Sequence, residues 1–522
     1  MPNQKNSLWS EGNALPPFRP LAGNMAVDVA IVGGGITGIT VARLLKQAGL
    51  TVGLVESRRL GKGESTKTTA HLTEVLDTRY RQLISRFGDE GALLAVRAHR
   101  LAMERIAGFV EILGIDCQFQ RVPGYLYAET AEEAEELAAE EAAATRLDIP
   151  AALVDSTPLP YPVICALRVD NQAQFHPRAY LNALASGIHG DGSYVFEQTH
   201  VTDVEDGNPC RVITDRGTIT AGDVVVAAHV PVTNRFFLHT KLAAYRTYAI
   251  AVANPTALPQ GLFWDMGSPY HYLRSQVVDG VPYLILGGED HKVGESTDTS
   301  VSFKRLEEFY ALRFGQPVAP TDFRWSGQII EPADGLPYVG RNSLSSRVYV
   351  ATGYSGNGMT GGTLAAMVLA DQVRGVPNAW SNLLDATRFK PLASAKAFVR
   401  ENVDFPKHLI GDRLMPSGQA HDLDEIEAGE GAVVTIRGSK LAVYRNGNGD
   451  LSAVSPVCTH LGCVVHWNTT EKSWDCPCHG SRFDPTGRVL NGPAIAALES
   501  RSIPSDEEET PVPLIGPQHT TA

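Results

Sequence analysis

Residues 27–56 read VDVAIVGGGITGITVARLLKQAGLTVGLVE. The first six are an apolar run of strand length, ITVARLLKQAG has the apolar spacing of a helix, and TVGLVE forms a second strand. Between the first strand and the helix, Gly33, Gly35 and Gly38 fill the pattern G-x-G-x-x-G, and Glu56 ends the second strand 23 residues after Gly33. Glycines there permit a tight turn and close backbone approach, and the helix start offers free N–H groups and a dipole to a pyrophosphate. A carboxylate at the end of the second strand accepts from ribose hydroxyls and disfavours a 2′-phosphate. A turn that serves packing alone needs neither the helix behind it nor the acid, so the stretch reads as a nucleotide site.

The rest of the chain sets bounds. Its 522 residues suggest three or four domain-sized units, and 43% hydrophobic with 20% charged residues is an ordinary globular balance. A formal charge of −13 argues against a nucleic-acid partner, which needs a basic surface. The first twenty residues lack a basic-then-apolar leader, and no run of 18 apolar residues occurs, so a cytoplasmic protein with no membrane span is expected.

Residues 89–114 read as an amphipathic helix, 130–147 as an acidic surface helix with a solvated charge run, and 240–300 as an antiparallel sheet. His176, before a proline at a helix start, reads as structural, and His291 as a turn residue. Residues 347–375 return to strand, glycine-rich turn (ATGYSGNGMTGG, 351–362) and helix. From about Leu423 short strands and turns take over, with NGNGD at 446–450 as a hairpin signal.

A second glycine turn more than 300 residues after the first is more than a simple NAD domain needs. This layout resembles flavoproteins of the D-amino-acid oxidase family over roughly residues 25–385. ADGLPYVG (333–340) is similar to that family's loop before the last flavin strand, and GKGESTKTTAHLT (61–73) to its loop along the phosphates. The resemblance implies FAD, with Gly33, Gly35, Ile36, Thr37, Gly38, Glu56, Ser57 and Arg58 at the ADP half. It implies Ser65, Thr66 and Thr69 along phosphates and flavin, Val201 at adenine, and Gly353, Tyr354, Gly358, Met359 and Thr360 near the ring. Arg246, His271, Tyr272, Arg274, Trp325 and Tyr354 are substrate-side candidates, with Arg246 or Arg274 able to clamp a carboxylate.

Four of the seven cysteines lie in CTHLGC (458–463) and CPCHGS (476–481). Two cysteines and two histidines suit tetrahedral zinc, but each loop here mixes one of each, unlike a zinc finger. The boxes, with NGPA at 491–494, resemble the Rieske [2Fe–2S] domain over about residues 420–507. The resemblance implies Cys458 and Cys476 on one iron, His460 and His479 on the other, and a disulfide between Cys463 and Cys478; two reduced thiols are the alternative. It also implies a Ser481 hydroxyl donating to a cluster sulfide. Phe483 stands where the subclass often has tyrosine, which removes a donor to sulfur and lowers the expected potential.

The expected fold is an α/β (α+β) FAD-binding Rossmann-like domain with an antiparallel-sheet substrate domain, plus a small all-β Rieske domain. The expected division is an extension (1–24), a flavin domain (25–385), a linker (386–420), a Rieske domain (421–507) and a tail (508–522). Within the flavin domain, residues 25–85, 170–235 and 330–385 would build the nucleotide part and 236–330 the substrate sheet. The expected activity is a dehydrogenase that oxidises a small amine or amino acid and passes electrons through the cluster to an external one-electron carrier. The alternatives are electron flow from cluster to flavin, and redox sensing through Cys463 and Cys478. The linker permits the Rieske domain to dock on its own flavin domain or on a neighbour's.

Overall fold

The computed structural model describes residues 7–10, 15–231, 238–296, 298–319, 322–390 and 422–504. The expected linker beyond residue 390 and the tail at 508–522 lie outside the described residues.

Strand Met25–Val32 sits inside a largely parallel sheet. The spatial order is Tyr338–Arg341, Val348–Thr352, Gly217–Val226, Met25–Val32, Val52–Val55, Tyr194–Phe196. Only the pairing of the first two is antiparallel along this path. Val29 to Val32 and all of Val52–Val55 are buried, as strands covered on both faces require. Two strands end in glycine turns that launch helices, Ile36–Gln47 and Gly358–Val373, which pack on one another. Gly33 has φ +109°, and a Cβ there would lie 2.5 Å from the Ala227 carbonyl oxygen, so the turn excludes any side chain. The parallel strands point their carboxyl ends at one crevice, the usual ligand position in such sheets.

A nine-stranded sheet covers that crevice. Its order is Phe323–Pro332, Leu242–Ala253, Val281–Lys292, His271–Val278, Leu262–Trp264, Gln120–Ala128, Cys165–Gln174, His71–Leu72, with Ala151–Val154 paired to the side of Cys165–Gln174. The amphipathic helix spans Tyr80–Ile112 and bends at Gly88 (φ +71°). The acidic helix spans Ala131–Arg146 and starts at a Thr130–Glu133 capping box. Its charge run is not wholly solvated: Glu140 is buried and accepts from the N–H groups of Tyr80 and Arg81. His291 is no turn residue. It lies within strand Val281–Lys292, pairs in register with Arg246, donates from Nδ1 to the Lys292 carbonyl, and accepts from the Tyr248 hydroxyl at 2.8 Å.

The C-terminal region forms two four-stranded antiparallel sheets. One orders Gly431–Ile436, Ser439–Arg445, Leu451–Val454, Ser500–Arg501, and the other His466–Asn468, Ser473–Asp475, Arg482–Phe483, Val489–Asn491. The first sheet's 446–450 turn joins its second and third strands, as the NGNGD signal predicts. Trp467, Trp474 and Phe483 fill the core between the sheets, beside Cys458, Cys463 and Cys476.

Candidate active site

A cavity of about 430 Å³ lies at the carboxyl ends of the parallel strands. At one end Glu56 accepts from the backbone N–H groups of Gly34 (2.9 Å) and Arg58 (2.8 Å), so local backbone fixes the carboxylate. Ser65 Oγ accepts from Ile36 N at 3.0 Å, satisfying one free N–H at the helix start. At the other end Gly353, Tyr354, Gly358 and Met359 face Thr69, His71 and Thr73 across the space. The Thr37 and Tyr354 hydroxyls, 2.9 Å apart, tie the two glycine turns together. Burial, then the Arg274 charge, pushes His71 down to about 3, so its ring is neutral at physiological pH.

The cysteine–histidine loops form one buried tip. The Cys458 and Cys476 side chains are hydrogen-bonded to each other, and Ser481 is bonded to Cys458. Backbone N–H groups of His460 and Leu461 donate to the Cys458 sulfur, and those of Cys478 and His479 to Cys476. The His460 and His479 rings lie side by side, with centroids 4.9 Å apart. Cys463 and Cys478 are joined in a disulfide with a Cα–Cα distance of 6.5 Å. The sulfur atoms of Cys463, Cys476 and Cys478 also cluster within 4.8 Å, but two of them are bonded to each other and are not free ligands.

This tip rests against the cavity of the same chain. Gln328 lines the cavity, and its Nε2 donates at 2.7 Å to the carbonyl of Gly480, the residue after His479. A Cβ at Gly480 (φ +76°) would lie 2.2 Å from the Ala244 Cβ, so this approach demands glycine. His466 Nδ1 donates to the Gly294 carbonyl at 2.8 Å, and Asn491 Nδ2 donates to Glu64 Oε1 at 3.0 Å. Residues Val489 to Gly492, with Ala494 and Ile495, form part of the cavity wall.

A family model described as FAD dependent oxidoreductase (DAO) matches residues 28–372. The chain belongs to the FAD-dependent oxidoreductase family. A second model, Rieske [2Fe-2S] domain, matches residues 416–502. The chain is 34% identical over 497 residues to a Bacillus subtilis protein designated Rieske 2Fe-2S iron-sulfur protein YhfW, covering 94% of this chain and 97% of that one. It is 25% identical over 409 residues to the gamma-glutamylputrescine oxidoreductase of Escherichia coli K12, covering 74% and 90%. The crystal structure of glycine oxidase from Geobacillus kaustophilus shares the flavin-domain fold, with TM-score 0.60, 21% identity, and 70% and 99% coverage.

As a member of this family the chain binds FAD in its first part, and its C-terminal domain binds a [2Fe–2S] cluster. The residues fit both groups. Gly33, Gly34 and Gly35 line the cavity with bare backbone, and Glu56 is already oriented by backbone donors. Two thiols with amide donors to their sulfurs, beside two imidazoles, form a donor set suited to one sulfur-ligated and one nitrogen-ligated iron.

Of the family-implied FAD residues, Gly33, Gly35, Ile36, Thr37, Glu56, Ser57, Arg58, Ser65, Thr69, Val201, Gly353, Tyr354, Gly358 and Met359 line the cavity. Three do not. Gly38 lies against Gly33, where a Cβ would come 1.9 Å from its carbonyl oxygen. Thr66 turns its hydroxyl to the Gly61 carbonyl, and the Thr360 hydroxyl accepts from Thr73 N at 3.3 Å.

The substrate-side candidates divide in the same way. Tyr272 and Tyr354 line the cavity. Arg274 is buried elsewhere, donating to the carbonyls of Thr69 and Phe175 and to Gln276. Trp325 donates to the Lys67 carbonyl at 2.8 Å. His271 is held between Asp265 (2.7 Å) and Glu289 (3.2 Å); burial opposes its protonation, but the two carboxylates outweigh it and raise its pKa.

Arg246 belongs to the domain interface. It bonds Ser326 and Glu471, and Arg482 reaches Glu471 at 3.0 Å and Asp475 at 2.9 Å. Burial opposes ionisation of Glu471, yet Arg246 and Arg482 hold it down at about 2. Nearby, Lys67 and then His229 and Arg246 hold Glu64 well below the carboxylate range, again against burial. Cavity residues without a local sequence signal include Asp77, Thr247, Trp264, Tyr270 and Gln328.

Proposed function

We propose that the chain oxidises a small amine or amino acid at the cavity and passes the electrons through its own Rieske domain to an external one-electron carrier. FAD would supply a two-electron acceptor and the cluster a one-electron carrier. The observation that carries the reading is the contact from Gln328, in the cavity wall, to the Gly480 carbonyl beside His479. It favours transfer within one chain, and the reading sets the reaction in the cytoplasm.

The chain's own residues divide the work. Glu56 and the helix start at Ile36 would hold the ADP half, and the turn at Gly353–Met359 would seat the ring. Tyr272 and Trp264 would wall the substrate space and exclude water. The E. coli relative is named an oxidoreductase of gamma-glutamylputrescine, an amine, which agrees with oxidation at a carbon–nitrogen bond. The test is anaerobic mixing of the holoprotein with amines and amino acids, followed by visible and electron paramagnetic resonance spectroscopy. Flavin bleaching followed by cluster reduction, at a rate independent of protein concentration, is expected. A cluster rate proportional to protein concentration would refute transfer within one chain, and no bleaching with any substrate would refute the activity.

A further inference from the structure

The cavity wall near Tyr272 distinguishes between the two substrate classes. We infer that this end of the cavity is built for an organic amine cation that carries no carboxylate. The inference rests on the proposed amine or amino-acid oxidation and narrows it.

Recognition of an α-carboxylate calls for a cation, best an arginine fork. Among the described residues lining the cavity, the arginine is Arg58, at the ADP end beside Glu56, and the lysine is Lys67, 3.0 Å from Glu64. Neither Arg246 nor Arg274 lines the cavity: Arg246 bonds Ser326 and Glu471, and Arg274 bonds the carbonyls of Thr69 and Phe175. Arg79 lies behind the wall, where Glu140 is the first of its charge partners and Asp77 the second.

What faces the space is anionic and aromatic. Asp77 lines it, and its Oδ2 accepts from Gly356 N at 2.6 Å. A Cβ on Gly356 would lie 3.4 Å from Asp77 Oδ1 and 3.4 Å from the Tyr270 hydroxyl, so carboxylate and phenol flank one glycine of the turn. Behind the wall, Asp290 bonds toward Thr247 and Tyr270, both lining residues, and its Oδ1 is buried without a hydrogen-bond partner. Desolvation raises the pKa of both carboxyls, opposed at Asp77 by the Gly356 N–H and the Arg79 charge and at Asp290 by bonds from Thr247 and Tyr270. Trp264, Tyr270 and Tyr272 line the space, and aromatic rings attract an organic ammonium; the Tyr272 hydroxyl is engaged with Thr247 at 2.8 Å and the Tyr270 hydroxyl with Asp290. A ligand cation would pair with the Asp77 carboxylate that faces the space, whereas a ligand carboxylate would meet no arginine or lysine at this end.

The test uses the FAD-loaded full chain under anaerobic conditions. Butylamine and 1,4-diaminobutane are compared with glycine, alanine and proline for bleaching, and tetramethylammonium with benzoate for non-reactive shifts of the flavin spectrum. The amines are expected to act at concentrations at least about tenfold below the amino acids, and tetramethylammonium to shift the spectrum where benzoate does not. Asp77→Asn, which keeps an acceptor for Gly356 N, should weaken amine binding about ten- to hundredfold, the loss of one charge-assisted contact.

Bleaching by amino acids at the lower concentration would overturn the inference while leaving the oxidation reading intact. Unchanged amine affinity in Asp77→Asn would also overturn it. If nothing bleaches, the oxidation reading fails, and the benzoate and tetramethylammonium shifts still decide the charge preference. A shift with benzoate, or none with the ammonium, overturns it without any variant.

Discussion

Replacing Arg246 by methionine should loosen the Rieske domain from the flavin domain. The Arg246 and Glu471 side chains are 1% and 7% exposed, and they sit among Lys67, Arg482, Glu64 and Asp475. Three cations therefore face three carboxylates. The substitution leaves two cations against three, and one buried negative charge without compensation. Breaking a buried pair from one side costs about 3–5 kcal/mol. Arg482 still holds Glu471, so the lower end applies, and about 3 kcal/mol is roughly a 10²-fold rise in the open population. Native-state hydrogen exchange reads this at peptides spanning 468–482 and at Gln328 N, which donates to Glu64 at 2.6 Å. The double variant Arg246→Met with Glu471→Met removes both charges and should recover at least half of the loss. Exchange within a factor of about two of wild type in Arg246→Met, or a double variant no better than the single, would refute the account.

Gln328→Leu should slow the arrival of electrons at the cluster while flavin and iron contents stay at wild-type levels, because the Gly480 carbonyl loses its donor at a cost of about 1–3 kcal/mol; stopped-flow spectroscopy reads it, and an unchanged rate counts against the bridge. Phe483 is fully buried in the Rieske core, and Phe483→Tyr should raise the cluster midpoint in a potentiometric titration if the new hydroxyl donates to a ligand sulfur. An unchanged or lower midpoint rejects that. Acid should undo the interface: Glu471 titrates at about 2 in the fold against about 4.3 when unfolded, so its contribution is complete above the unfolded value and is lost as pH falls toward 2. Small-angle scattering should show the chain expanding over that window, and the Arg246→Met, Glu471→Met double variant should respond less steeply.

The two cofactor sites were legible because their chemistry sits in short spacings. One glycine turn with its acid and two cysteine–histidine boxes each declare a donor set within a few residues. Substrate-side arginines were not legible, since a strand's two faces differ only by parity. Thr247 faces the cavity, so its neighbour Arg246 points the other way, and nothing in YRTYAIAVA says which of the two faces inward. Arg274 is settled by contacts with Phe175 and Thr69, far from it in sequence. The interface was the least legible part: Arg246 and Glu471 are 225 residues apart, and nothing in the sequence around either one points to the other. The Asp77–Tyr270–Asp290 cluster likewise exists only once the segment at Asp77 meets the hairpin of His271–Val278 and Val281–Lys292.

The wall contributed by Val489 to Ile495 has a consequence for assembly. Those residues emerge from the ribosome more than a hundred positions after the last glycine turn, so the nucleotide crevice is complete before its cover has been made. FAD can load onto the nascent chain while that side still stands open. In the finished protein, exchange of the nucleotide past that wall requires the Rieske domain to swing aside against the Arg246–Glu471 contact, so flavin retention and domain docking become one kinetic quantity.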